Sequence, residues 1–188
     1  MEAFLVSCGL VALAEIGDKT QLLSLVLAAR FRKPWPIIVG IFLSTVLNHA
    51  AAGALGAWLA HFLGEKALTV LVGVSFLAMA AWILVPDKLD DADAAPKGHG
   101  GIVLTTIVLF FMAEMGDKTQ VATVMLAARY ESLVAVVLGT TLGMMLANVP
   151  VVFFGEALAR RMPVAIVRRV ASVAFAILGV LALVSALR

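Results

Sequence analysis

Glu15-Ile16-Gly17-Asp18-Lys19-Thr20 returns 99 residues later as Glu114-Met115-Gly116-Asp117-Lys118-Thr119, each copy inside one of the most apolar stretches of the chain. Two carboxylates and an ammonium at membrane depth are costly, because hydrocarbon offers them no water. Bearing that cost twice with one residue pattern points to function. The bland alternative is an internally compensated Glu–Lys pair that only fixes helix packing. The repeat runs beyond the hexapeptide: at the same offset Gln21 matches Gln120, Ser24 matches Thr123, and Ala28-Ala29-Arg30 matches Ala127-Ala128-Arg129. Gly40 with Gly139, Gly56 with Gly155 and Phe76 with Phe175 extend it along each half.

Composition sets the solvent. The chain has 188 residues, 63% of them hydrophobic, with a mean hydropathy of +1.08, more apolar surface than a soluble domain can hide. Six charge-poor segments reach the ~20 residues that cross a bilayer, once the motifs are allowed as interruptions. They are Ala3 to Ala29, Trp35 to Ala60, Ala67 to Val85, Ile102 to Ala128, Leu133 to Leu158 and Val164 to Leu187. The net charge of +2 sits on loop residues and predicts no nucleic-acid partner. Cys8 is the single cysteine, which excludes an internal disulfide and reads as a small packing residue. Phe4 to Leu13 looks like a signal-peptide core, yet no basic residue precedes it and cleavage would fall just before Glu15, so it reads as a membrane helix.

Two halves of three helices follow, 1–85 and 102–188, joined by a polar, Pro- and Gly-rich acidic linker, 86–101, expected to be flexible. Three is an odd number, so the second half enters the membrane from the opposite side. The expected fold is therefore an all-α membrane protein of six transmembrane helices in two inverted three-helix repeats. Arg30, Arg32, Lys33, Lys88, Lys97, Arg160, Arg161, Arg168 and Arg169 fall on one side, against Lys66, Arg129 and Arg188 on the other. The positive-inside rule makes the linker cytoplasmic and both termini external. Gly40 with Ser44, and Gly139 with Gly143, are small residues at the spacing that lets helices approach closely.

On a continuous helix, Glu15, Asp18 and Lys19 would share a face, with Gln21 and Ser24 extending it. Gly17 weakens such a helix and frees carbonyls, as in the broken helices of transporter ion sites. The second copy repeats this with Glu114, Asp117, Lys118, Gln120 and Thr123, and with Gly116 between the acids. If the repeat axis brings the copies together, Glu15, Asp18, Glu114 and Asp117 form an oxygen-only metal site suited to Ca²⁺, Mn²⁺ or Mg²⁺. Each motif sums to −1, so one divalent cation or two protons neutralise the pair. Competition between metal and protons for these carboxylates would couple antiport. Lys19 and Lys118 are expected to pair with the carboxylates rather than touch the metal.

Asn48, His49 and Asn148 are the other polar residues expected inside the second helices. His49 reads either as a proton relay, with Asn48 and Asn148 beside it, or as a hydrogen-bonding link between helices. Ser44, Thr45, Thr140 and Thr141 line the same cavity or bond back to their own helices. Met112, Met115, Met125, Met144 and Met145 read as packing, with a soft contact favouring Mn²⁺ as the thinner alternative.

The paired Glu-x-Gly-Asp-Lys-Thr motifs, the three-plus-three pattern and the acidic linker resemble uncharacterised protein family 0016, the bacterial manganese exporters and Golgi Ca²⁺/Mn²⁺ transporters. The resemblance covers essentially the whole chain. It implies cation/proton antiport, with Mn²⁺ export across the inner (plasma) membrane the foremost role and Ca²⁺/H⁺ exchange the alternative. The motif positions it carries over are Glu15, Gly17, Asp18, Lys19, Thr20, Glu114, Gly116, Asp117, Lys118 and Thr119. No cofactor is implied beyond the transported ion, and no oligomer is required, since one chain holds both half-sites. A passive divalent-cation channel stays open as a competing reading. An enzyme is not expected: intramembrane aspartyl proteases use Gly-x-Gly-Asp, and here Glu15 and Glu114 stand where the first glycine would be.

Overall fold

The computed structural model describes residues 1–86, 101–130, 132–161 and 163–187, with backbone alone for residues 156–161. Apart from its two ends, the expected linker 86–101 lies outside the described residues. Among those residues there are eight helices and no strand. In chain order they are α1 (Glu2–Glu15), α2 (Lys19–Phe31), α3 (Pro34–Phe62), α4 (Glu65–Ile83), α5 (Ile102–Glu114), α6 (Lys118–Arg129), α7 (Leu133–Arg161) and α8 (Val164–Ala186). α3, α4, α7 up to Gly155, and α8 are long and apolar enough to cross a membrane.

The first and fourth expected spans are not continuous helices, and this corrects the shared-face geometry expected for Glu15, Asp18 and Lys19. Ile16 (φ −66°, ψ 113°) and Gly17 (φ 83°) form the corners of a type II β-turn, closed by the Asp18 amide donating to the Glu15 carbonyl at 3.0 Å. Met115 (φ −62°, ψ 116°) and Gly116 (φ 75°) repeat it, with the Asp117 amide 3.0 Å from the Glu114 carbonyl. A type II turn needs positive φ at its third residue, which glycine supplies without a Cβ clash. Asp18 then caps α2 from extended backbone, its carboxylate accepting the Lys19 amide at 2.9 Å. The hexapeptide therefore spells helix end, tight turn and helix start. Each glutamate ends one helix and each aspartate precedes the next.

The halves interleave. The short helices α1 and α2 pack on α7, while α5 and α6 pack on α3, so each broken pair lies against the long helix of the other half. α4 and α8 pair with each other, where Phe76 meets its repeat partner Phe175 edge-on at 5.7 Å between centroids. Small residues allow the cross-half contacts, as their spacing predicts. A Cβ on Gly40 would lie 2.5 Å from Thr106 Cβ, and one on Gly139 2.5 Å from the Phe4 carbonyl oxygen. A Cβ on Gly143 would lie 2.5 Å from the Cys8 carbonyl oxygen.

Polarity is arranged inside out. Leu43, Leu47, Trp58, Val74, Leu138 and Val180 face outward, whereas Glu15, Asp18, Asn48, His49, Glu114, Asp117 and Asn148 are buried. A lipid-facing surface and a polar interior account for both sets.

Candidate cation-binding site

The two turns meet in the interior. None of Glu15, Asp18, Glu114 and Asp117 is more than 3% exposed, and Glu15, Glu114 and Asp117 each offer an oxygen within 4.8 Å of the others. Asp18 stands outside that trio and faces Lys118.

The supporting contacts follow one plan in both halves. Thr20 Oγ1 donates to Glu15 Oε2, and Thr119 Oγ1 to Glu114 Oε2 at 2.8 Å. The Gly17 amide donates to Gln21 Oε1 at 2.9 Å, and the Gly116 amide to Gln120 Oε1 at 2.7 Å. Each glutamine then reaches the other half: Gln21 Nε2 donates to the Ala147 carbonyl at 3.0 Å, and Gln120 Nε2 to Asn48 Oδ1 at 2.9 Å. Ala147 is the repeat partner of Asn48.

The lysines pair across the motifs: Lys118 Nζ is 3.5 Å from Asp18 Oδ1 and Lys19 Nζ is 3.7 Å from Asp117 Oδ1. One oxygen of every acid is thereby held, while Glu15 Oε1, Asp18 Oδ2, Glu114 Oε1 and Asp117 Oδ2 are buried with no hydrogen-bond donor among the described residues. Unpaired buried oxygens of this kind are unfavourable unless a cation or proton takes them.

The second-helix residues divide. Asn48 Nδ2 donates to the Phe111 carbonyl at 3.2 Å. Asn148 accepts from Ser24 Oγ at 2.7 Å and donates to the Met144 carbonyl at 3.1 Å. Both amides thus brace helices. His49 does not: it is fully buried, its Nε2 lies 4.0 Å from Glu114 Oε2, and neither ring nitrogen has a hydrogen-bond partner among the described residues. Thr123 Oγ1 bonds back to the Thr119 carbonyl at 2.7 Å. Thr140 Oγ1 likewise bonds to its own helix, at the Val137 carbonyl 3.1 Å away, whereas the buried hydroxyls of Ser44, Thr45 and Thr141 have no hydrogen-bond partner among the described residues. Of the methionines, Met112 and Met115 are exposed, whereas Met125 and Met144 are buried and Met144 Sδ accepts from Asn148 Nδ2 at 3.0 Å.

Arg168 was legible in the sequence only as a topology charge. It lies in α8 and donates through Nη2 to the Gly17 carbonyl at 2.8 Å, so it fastens the first turn. At the offset of 99 its partner is Thr69, an uncharged residue in α4.

Comparison with known proteins matches residues 3–91 and 102–188 to the family described as divalent cation/proton antiporter GDT1. The chain belongs to this family. The resemblance read from the hexapeptides holds, and the protein is a membrane transporter. It is 51% identical over 180 residues to the "Putative manganese exporter" of Vibrio cholerae serotype O1, covering 95% of this chain and 89% of that protein. It is 30% identical to GDT1-like protein sll0615 of Synechocystis, over 68% of this chain and 71% of that one. GDT1-like protein 4 of Oryza sativa subsp. indica is 26% identical, over 76% of this chain and 59% of its own length. No solved structure matches significantly.

Proposed function

We propose that the protein exports Mn²⁺ from the cytoplasm in exchange for protons, using Glu15, Asp18, Glu114 and Asp117 as the shared cation site. The observation that carries this is the buried convergence of Glu15, Glu114 and Asp117 oxygens within 4.8 Å. Oxygen donors suit Mn²⁺, Ca²⁺ and Mg²⁺ alike, and the manganese in the name of the Vibrio cholerae relative favours Mn²⁺. Four carboxylates and two ammoniums sum to −2, a charge that one divalent ion or two protons cancel. Exclusive occupancy by one or the other is the coupling.

The transport cycle in this reading is alternating access by two inverted repeats, 1–85 and 102–188, joined by the cytoplasmic 86–101 linker. Each broken pair, α1 with α2 and α5 with α6, makes one crossing, because neither member reaches the ~20 residues needed alone. Six crossings then put both termini on the external face of the inner membrane. Gly17, Lys19, Thr20, Gln21 and Ser24, with Gly116, Lys118, Thr119, Gln120 and Thr123, position the acids. Asn48 and Asn148 hold the long helices to them, and one chain suffices.

Purified protein in liposomes tests this. Mn²⁺ uptake should rise when the lumen is made acidic and protons can leave in exchange, and Asp18→Asn or Asp117→Asn should abolish uptake in protein that remains folded. Uptake indifferent to the pH gradient means a channel. Preference for Ca²⁺ over Mn²⁺ means Ca²⁺/H⁺ exchange. Normal transport by both mutants removes the site.

A further inference from the structure

His49 breaks the repeat plan in an informative way. Its partner by the offset of 99 is Asn148, and the partner of Ser24 is Thr123. Ser24 donates to Asn148 at 2.7 Å, which ties that amide into the helix packing. Symmetry would have Thr123 do the same for His49, but its hydroxyl bonds to the Thr119 carbonyl instead. The imidazole is left fully buried, with both nitrogens unpartnered among the described residues and Nε2 4.0 Å from Glu114 Oε2. A buried polar ring without partners is unfavourable and calls for a reason. Two donors held by one ion at about 2.0–2.6 Å each lie no more than about 4–5 Å apart. The Nε2–Oε2 separation fits that limit, so His49 adjoins the acidic trio through Glu114, while the imidazole itself stands outside the 4.8 Å grouping of Glu15, Glu114 and Asp117.

We infer that His49 gives the transported ion a nitrogen ligand, and that this nitrogen selects Mn²⁺ against Ca²⁺ and Mg²⁺. The inference rests on the acidic cluster being the cation site. The carboxylates by themselves form a hard oxygen set that takes all three ions. Ca²⁺ and Mg²⁺ keep to oxygen, whereas Mn²⁺, although oxygen-preferring, is a transition-metal ion that also accepts an imidazole nitrogen. One half of the site therefore carries the discriminating donor at His49, and the other carries a helix brace at Asn148.

Pulsed electron paramagnetic resonance on the purified full-length protein with Mn²⁺ tests the assignment. A directly bound imidazole nitrogen should couple to the ion, and the coupling should change isotope when histidine is ¹⁵N-labelled. His49→Asn should erase the coupling and weaken Mn²⁺ binding roughly tenfold or more, a loss comparable with removing even an outer-shell partner, while Ca²⁺ binding stays within about twofold. His61→Asn should leave the signal intact. Bound Mn²⁺ without a histidine coupling overturns the inference and leaves the acidic site standing. Absence of bound Mn²⁺ in the unmutated protein overturns both. Should His49→Asn fail to fold, the isotope result on the unmutated protein decides alone.

Discussion

The Lys118 ammonium lies 3.5 Å from Asp18 Oδ1, a carboxylate from the other half of the chain. The reciprocal pair, Lys19 with Asp117, lies at 3.7 Å. Each lysine meets the repeat partner of its own motif's aspartate, and the contact is returned in kind. The motifs are thus compensated across the site, not within themselves.

The two pairs differ in burial, the lysine side chains being 4% exposed for Lys118 and 21% for Lys19. Lys118→Met should therefore cost about 3 kcal/mol, as breaking a buried pair does. Lys19→Met should cost about 1 kcal/mol or less. Adding Asp18→Asn to Lys118→Met should recover part of the stability and none of the transport. Thermal unfolding of the purified variants reads all three, and equal losses from the two lysines would contradict the burial argument.

The two turn glycines should respond unequally to alanine. Both have positive φ, which costs a side chain roughly 1–2 kcal/mol. At Gly17 the added Cβ would also lie 2.1 Å from Val164 Cγ1, whereas nothing lies within 4 Å of one at Gly116. Gly17→Ala must push the start of α8 away and strain the Arg168 bond to the Gly17 carbonyl. Expected losses are about 1–2 kcal/mol for Gly116→Ala and roughly twice that or more for Gly17→Ala, measured by thermal unfolding alongside transport.

The threonine hydroxyls orient the glutamates, so Thr20→Val and Thr119→Val should weaken Mn²⁺ binding roughly tenfold or more, with about 1 kcal/mol lost in stability. Serine at either position keeps the hydroxyl and should restore most of the affinity. A valine variant with undiminished Mn²⁺ affinity would show that the hydroxyl does not position the carboxylate.

Close packing between the halves is testable away from the site. Gly40→Ala and Gly139→Ala insert a methyl group where the neighbouring helix is already in contact, which should cost about 1–3 kcal/mol each. Gly9 lies on the exposed side of α1 with nothing within 4 Å of a built Cβ, so Gly9→Ala should be neutral or stabilise by up to about 1 kcal/mol. Stability in detergent compares the three.

Much of this site was legible in the chain. The offset of 99 paired Phe76 with Phe175, which touch, and Gly40 with Gly139, which make equivalent close contacts. The turn itself was encoded, since Glu-x-Gly-Asp puts glycine at the third turn position. Helical spacing nevertheless favoured a shared face, because the apolar pattern on both sides suits an unbroken helix. The cross-pairing of the lysines was hidden, because Glu15 with Lys19 has the local spacing of a helical ion pair.

The sequence by itself determined the apolar helices, the repeat and the two glycine-centred turns, because these depend on residue type and on neighbours a few positions away. Tertiary structure alone decided which carboxylates converge, that each lysine answers the other half's aspartate, and that His49 lacks the tie Asn148 receives from Ser24. Those relations join residues about a hundred positions apart, where only the packing of one half against the other sets the distance.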